Sequence, residues 1–152
     1  MMEVSVQPDD FDTGVEIATL SAQDDGAGAV ASFVGLVRHD GHVKAMTLEH
    51  YPGMTEAALA DIVAQAKQRW KVRRVRVIHR IGRLLPGERI VFVGVSSGHR
   101  GDAFAACEFI MDYLKTRAPF WKKEETPEGT RWVDARESDD HAARRWSDGM
   151  AG

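Results

Sequence analysis

The chain has 152 residues, 43% hydrophobic and 28% charged, which suits one domain around one core and excludes a disordered chain. A formal net charge of -3 excludes bulk attraction to nucleic acid, so any anion site must be a local cluster of cations on a mildly acidic body. No apolar run nears the roughly 20 residues of a membrane-spanning helix, and the acidic opening MMEVSVQPDDFD lacks the basic-then-apolar order of a signal peptide, so a cytoplasmic address is expected.

EVSVQ alternates and predicts a short first strand. Asp12 or Thr13 is placed to cap a short helix through about Gln23. After the DDGAG turn, AVASFVGLVR (29–38) predicts a buried strand, in which Gly35 points to a bulge or a close approach by another backbone. The Asp-Gly pair of HDGH signals a hairpin, with VKAMTLEHY (43–51) as the return strand. PGMTEAALADIVAQAKQRW predicts a helix with Thr55 as N-cap and Leu59, Ile62, Val63, Ala66 and Trp70 on its apolar stripe. In RRVRVIHRIG, Val75, Val77, His79 and Ile81 alternate with arginines between them, the pattern of a strand with one wet face.

LLPGE is a turn, and RIVFVGVSS (89–97) a strongly apolar strand. A second long helix is expected from about Gly101 to Lys115, striped by Phe104, Cys107, Ile110 or Met111, and Leu114. Pro119 ends it, because the residue before a proline disfavours the α region. FWKKEE and TRWVDA predict two short strands joined by TPEG, followed by a short helix and a loose tail at about 147–152. The order ββ-α-ββ-α-ββ gives an α+β fold: one domain over 1–152, two long helices, and a mixed, largely antiparallel sheet.

Three places could carry chemistry. SSGHRGDAF puts His99 and Arg100 where a strand gives way to a helix, whose N-terminal N–H groups and dipole favour an anion. A solvated loop explains the same residues. KTRAPFWKKEE puts Lys115 and Lys122 seven residues apart, one face of an unbroken helix. Pro119 forbids that helix, so they meet only if the chain folds back. In a strand from Phe120, Phe120, Lys122 and Glu124 share one face and Trp121, Lys123 and Glu125 the other.

A lysine near other cations and partly desolvated loses basicity and becomes suited to acid/base work. The plainer alternatives are lysines that complement a helix C-terminus or protect an edge strand. Arg38, at the end of FVGLVR, suits bidentate binding of phosphate or carboxylate. No metal motif, phosphate loop or nucleophile elbow is present, and no metal is expected. The single cysteine, Cys107, lies in an apolar helical pattern that favours a buried, inert thiol.

FVGLVR, LEHYPGMTE, VIHRIG, PGERIVFVGVSSGHR, AFAACEFIMDYLKTRAPFWKKE and GTRWVDA fall in order from Ala29 to Ala135. Through these stretches the chain resembles the large, catalytic subunit of molybdopterin synthase, the MoaE family. The resemblance implies an α/β hammerhead-type fold and a sulfurtransferase of molybdenum cofactor biosynthesis. The substrate implied is cyclic pyranopterin monophosphate, which gains the dithiolene of molybdopterin. The sulfur donor implied is the C-terminal Gly-Gly thiocarboxylate of a small ubiquitin-like subunit, with no cofactor. The assembly implied is a homodimer of large subunits within a heterotetramer.

Carried over by position, Lys115 and Lys122 would be the catalytic pair. Leu36, Val37, Arg38, His99, Arg100, Lys123 and Glu124 would join them in binding substrate. Arg38, His99 and Arg100 would hold its anionic portion, with Leu36 and Val37 lining the approach. Lys122, paired with Glu124, is expected to be the main acid/base or acyl-accepting group, and Lys115 to orient and polarise the thiocarboxylate. Arg136 is the candidate for a residue lent by a neighbouring subunit. The competing functions are a non-catalytic adaptor for a ubiquitin-like protein and a nucleic-acid module built on the basic-aromatic stretch.

Overall fold

Every second residue of VRRVRVIHR points inward, and that alternation seats the strand in a two-faced sheet. In the computed structural model, which describes residues 2–22, 26–133 and 137–149, the elements run β1 (Val4–Gln7), α1 (Thr13–Ser21), β2 (Ala29–Leu36), β3 (Ala45–His50), α2 (Met54–Arg69), β4 (Val72–Arg80), β5 (Gly82–Leu84), β6 (Arg89–Ser97), α3 (Arg100–Arg117), β7 (Phe120–Thr126), β8 (Gly129–Val133) and α4 (Glu137–Gly149). They form two four-stranded sheets, ordered β1-β4-β6-β2 and β5-β3-β7-β8. β1 pairs with β4 in parallel, and the other pairings are antiparallel.

The first sheet is covered on both faces. Val75 and Val77 of β4 join Val91, Val93 and Val95 of β6 in a core shared with Leu59, Ile62 and Val63 of α2 and Phe109, Ile110 and Leu114 of α3. On the other face Ile78 and Phe92 pack with Phe11 and with Leu20 of α1. Each fully buried aliphatic or aromatic side chain contributes about 1.5–3 kcal/mol, so these clusters dominate the stability of the fold. Trp146 of α4 packs edge-on against Trp70 and Phe109, at 5.4 and 5.7 Å between ring centroids. A third cluster, Val37, Leu48 and Leu84, joins the end of β2 to the second sheet, with Ile90 of β6 packed against it.

Several local expectations give way to tertiary pairing. The Asp40-Gly41 turn exists, with the Asp40 carboxylate accepting from the His42 and Val43 N–H groups at 2.8 and 3.1 Å. It does not close a hairpin: β2 pairs with β6, and β3 pairs with β5 and β7 in the other sheet. The single sheet expected from the sequence is therefore two, and the three-residue β5 is an added edge. The arginine face of β4 is covered, since Arg76 donates to Glu16 of α1 at 2.9 Å and its side chain is 14% exposed. Phe104 leaves the α3 stripe and is 64% exposed. α4 extends to Gly149, into the stretch expected as a tail. Gly35 does mark a bulge: the register shifts between Gly35 and Leu36, and a Cβ at Gly35 would come within 2.8 Å of Val91.

Thr55 is not the N-cap. That place falls to Gly53 at φ 86°, whose N–H donates to the Glu56 carboxylate at 3.0 Å. Thr55 is instead fully buried: its hydroxyl accepts from the Tyr51 N–H at 2.9 Å and donates to the Pro119 carbonyl at 2.8 Å. Thr55→Val keeps the shape and removes both bonds, leaving two polar backbone groups short of a partner. We expect a loss of about 2 kcal/mol, read from urea unfolding with an unchanged m-value. A change below about 0.5 kcal/mol would be no more than an ordinary surface substitution gives and would contradict this role.

Candidate active site

The site grows from the end of α3. Lys115 and Arg117 occupy its last turn, where cations favour the helix dipole. Arg117 lies over the Tyr113 ring, 4.0 Å from its centroid. Lys115 is exposed. Ala118 then takes φ -86° and ψ 131°, the extended conformation that a following proline imposes. The chain turns at Pro119, pinned by Thr55, and enters β7 at Phe120. β7 is an interior strand between β3 and β8, so its lysines do not guard a sheet edge.

Beside this turn the buried His79 ring feels the charge of both lysines. His79 ends the inward face of β4 and is 5% exposed. Its ring stacks on Phe120, with centroids 3.8 Å apart and planes at 18°. Nδ1 lies 2.8 Å from the Arg80 carbonyl; a carbonyl only accepts, so Nδ1 carries a proton. Burial pushes the imidazole pKa down to about 4, and the charges of Lys115, Lys122 and His50 add to the shift against the hydrogen bond to Arg80. Lys115 of α3 and Lys122 of β7 thus both act on one ring. His50 sits opposite Phe120 in the β3–β7 register, and its Nε2 is 3.6 Å from the Glu56 carboxylate.

The other candidates divide. Arg38 and Leu36 are exposed beside the end of β2. Val37 between them is 1% exposed and lies in the cluster with Leu48, the register partner of Lys122. The Val37 peptide is held at both ends, its N–H donating to the Glu88 carbonyl at 2.9 Å and its carbonyl accepting from the Gly87 N–H at 2.8 Å. Arg38 therefore leaves a fixed point on the Lys122 side of the fold. His99 and Arg100 are exposed at the start of α3. Arg100 and Lys115 are fifteen positions apart on one helix, about 22 Å at 1.5 Å per residue, so one chain does not bring these groups together.

Lys123 points to the face opposite Lys122 and sits over the Trp132 ring, 5.1 Å from its centroid. The Glu124 carboxylate accepts from Arg131 of β8 at 3.3 Å. Arg136 lies outside the described residues. Cys107 is buried, its thiol pushed up to about 12 by burial and by Glu108. Sequence reasoning missed His79, His50, Thr55 and Arg131. His79 carried a usable signal, as the one polar member of the inward series Val75, Val77, His79.

With this geometry in view, the chain matches the MoaE protein family over residues 6–117. It is 60% identical over 146 residues to a molybdopterin synthase catalytic subunit from Salmonella typhimurium, covering 94% of this chain and 97% of that one. The solved molybdopterin biosynthesis MoaE protein from Burkholderia ambifaria superposes with a TM-score of 0.84 at 57% identity, covering 97% of this chain and 99% of that one. Molybdopterin synthase from Staphylococcus aureus gives a TM-score of 0.76 at 31% identity, covering 87% of this chain and 96% of that one. The chain belongs to the MoaE family.

The neutral His79 has a consequence for stability. Its folded pKa, about 4, lies below the unfolded value of about 6.5. Between these values the unfolded chain binds a proton that the folded chain does not, so His79 contributes stability above about pH 6.5 that is lost as pH falls toward about 4. We expect His79→Phe to reduce the stability lost between about pH 7.5 and about pH 4.5 by about 2–3 kcal/mol. Urea unfolding at both pH values reads the difference. An equal loss in variant and wild type would show that His79 is not held neutral.

Proposed function

We propose that this chain is the sulfur-transferring, catalytic subunit of a molybdopterin synthase. It moves sulfur from the C-terminal thiocarboxylate of a small ubiquitin-like partner onto cyclic pyranopterin monophosphate, forming the dithiolene of molybdopterin. The observation that carries this is membership of the MoaE family, in a chain whose Lys115 and Lys122 both lie close enough for their charges to act on the buried His79 ring.

The residue types suit the chemistry. A thiocarboxylate is already an activated sulfur donor, so the reaction needs no cofactor and no cysteine of the large subunit. The thiol of Cys107, pushed up to about 12, is no sulfur carrier. The anionic substrate and the anionic donor tail both call for local cations on a chain of net charge -3. Lys122, on a strand fixed between two neighbours, is the acid/base or acyl-accepting group. Lys115 orients and polarises the thiocarboxylate: its sulfur bonds to a pterin side-chain carbon, and water then cleaves the acyl C–S bond, so the partner's tail leaves as a carboxylate. Arg38 meets the substrate's anionic portion beside Leu36. Glu124 acts through Arg131, and Lys123 through the opposite face of β7.

His99 and Arg100 hold phosphate in a pocket completed by a second copy, because α3 carries them away from their own chain's lysines. The working unit is then a homodimer with a small subunit serving each pocket. A biosynthetic reaction with bacterial relatives supports a cytoplasmic location, and among the described residues no helix is long and apolar enough to cross a membrane.

Subunit mixing tests both the lysines and the sharing of pockets. Lys115→Ala and Arg100→Ala, each alone, should lower turnover about 100-fold or more. Mixed, unfolded and reassembled together, they should recover up to about a quarter of wild-type activity, because each mixed dimer holds one intact pocket. Near-normal turnover by Lys115→Ala would sink the catalytic assignment. A mixture no more active than its components would place both groups in one chain's pocket.

A further inference from the structure

His79 has no part in the chemistry just assigned, yet its surroundings are tightly built. The ring is buried, stacked face to face on Phe120, and tied through Nδ1 to the Arg80 carbonyl. Arg80 is itself anchored: its guanidinium, 7% exposed as a residue, donates to the Pro8 carbonyl at 3.1 and 3.2 Å and to the Arg89 carbonyl at 3.0 Å. The ring therefore inherits its orientation from the end of the first sheet. Phe120, which it grips, is the first residue of β7 in the second sheet and shares a strand face with Lys122 two residues on. Pro119 and Phe120 follow Ala118, the residue that caps the helix carrying Lys115.

We propose that His79 is a positioning residue for the lysine pair: its ring, clamped to the Arg80 carbonyl and stacked on Phe120, fixes where β7 begins and hence where Lys122 stands relative to Lys115. Thr55 fixes the backbone of the same turn from the α2 side, and His79 fixes the side chain that follows it. A neutral ring suits this place. A cation there would repel both ammonium groups, and an aliphatic side chain would lack the flat ring that stacks on Phe120. His50, opposite Phe120 and paired with Glu56, closes the third side.

The proposal rests on the sulfur-transfer reading, and the test separates the two. Wild type, His79→Ala, Phe120→Ala, the double variant and His79→Phe are compared in turnover with thiocarboxylated small subunit and cyclic pyranopterin monophosphate, with thermal melting as a check on folding. Misplacement of a reacting group acts on the transition state, so each alanine variant should lower kcat about tenfold or more while KM for the pterin stays within about threefold. The double variant should fall no more than about threefold below the worse single one, because both changes break the same stack. His79→Phe, which keeps an aromatic partner, should recover to within about threefold of wild type.

Phe120→Ala, on the less buried side of the stack, carries the test if His79→Ala fails to fold. A second readout needs no turnover: the ratio of Lys122 to Lys115 labelling by an amine-acylating reagent, measured by peptide mass spectrometry. It should shift about threefold or more in the alanine variants and stay near wild type in His79→Phe. Inactive wild type would defeat the sulfur-transfer reading and leave the labelling ratio to judge the positioning. Additive kcat losses, an unchanged labelling ratio in both alanine variants, or a His79→Phe variant as impaired as His79→Ala would overturn the proposal.

Discussion

One hydroxyl group sets the position of the turn on which the site depends. Thr55, buried at the start of α2, donates to the Pro119 carbonyl across 64 positions of sequence and accepts from Tyr51 on its own side. Pro119 forces the chain out of the helix, but a proline does not say where the chain goes next. Thr55 does. It draws the turn against the loop between β3 and α2, so that β7 emerges alongside β3 in antiparallel register. Gly53, at a φ of 86° that side chains rarely adopt, lets that loop turn tightly enough to present Thr55. The stretch LEHYPGMTE thus serves the site without touching its chemistry: His50, Gly53, Thr55 and Glu56 build the wall against which KTRAPFWKKEE folds.

The electrostatics follow from that fold. A chain of net charge -3 sets Lys115 in the last turn of α3, Lys122 in β7 and Arg38 just past the end of β2. Neighbouring cations find other outlets: Arg117 lies over Tyr113, and Lys123 over Trp132. Lys115 and Lys122 are the pair whose charges reach the buried, neutral His79. Concentrating cations in water costs little. Doing so beside a buried histidine requires that the ring stay uncharged, which burial ensures against the opposing pull of the bond to Arg80. The same neutrality makes the fold less stable in acid, so the site couples its own charge pattern to the pH range in which the protein stays folded.

Much of this was legible in the sequence. Helical spacing located α2 and α3, alternation placed Lys122 and Phe120 on one face, and Pro119 excluded a shared helical face for the lysines. Gly35 announced its bulge. What local pattern could not give was pairing across distance. An Asp-Gly turn between two apolar runs reads as a hairpin, yet β2 and β3 enter different sheets, because β6 offers β2 eight paired positions and covers it better than β3 could. Covered arginines on β4 looked wet for a similar reason: α1 supplies Glu16 from 60 positions away. Thr55 read as a helix cap because its real partner lies in another segment. The anion-binding logic of His99 and Arg100 was sound as local chemistry, but the length of α3 sets them far from the lysines of their own chain. The family resemblance supplied the substrate and donor, which no spacing in the chain reveals.

The central claim is that these groups transfer sulfur rather than merely receive a partner's tail. Mass spectrometry of products formed by the purified protein with thiocarboxylated small subunit and cyclic pyranopterin monophosphate tests it most directly. The account predicts molybdopterin with both dithiolene sulfurs, accompanied by two carboxylated small subunits for each product molecule. Carboxylated small subunit accumulating with no dithiolene product would contradict it and leave the chain as an adaptor that only binds its partner.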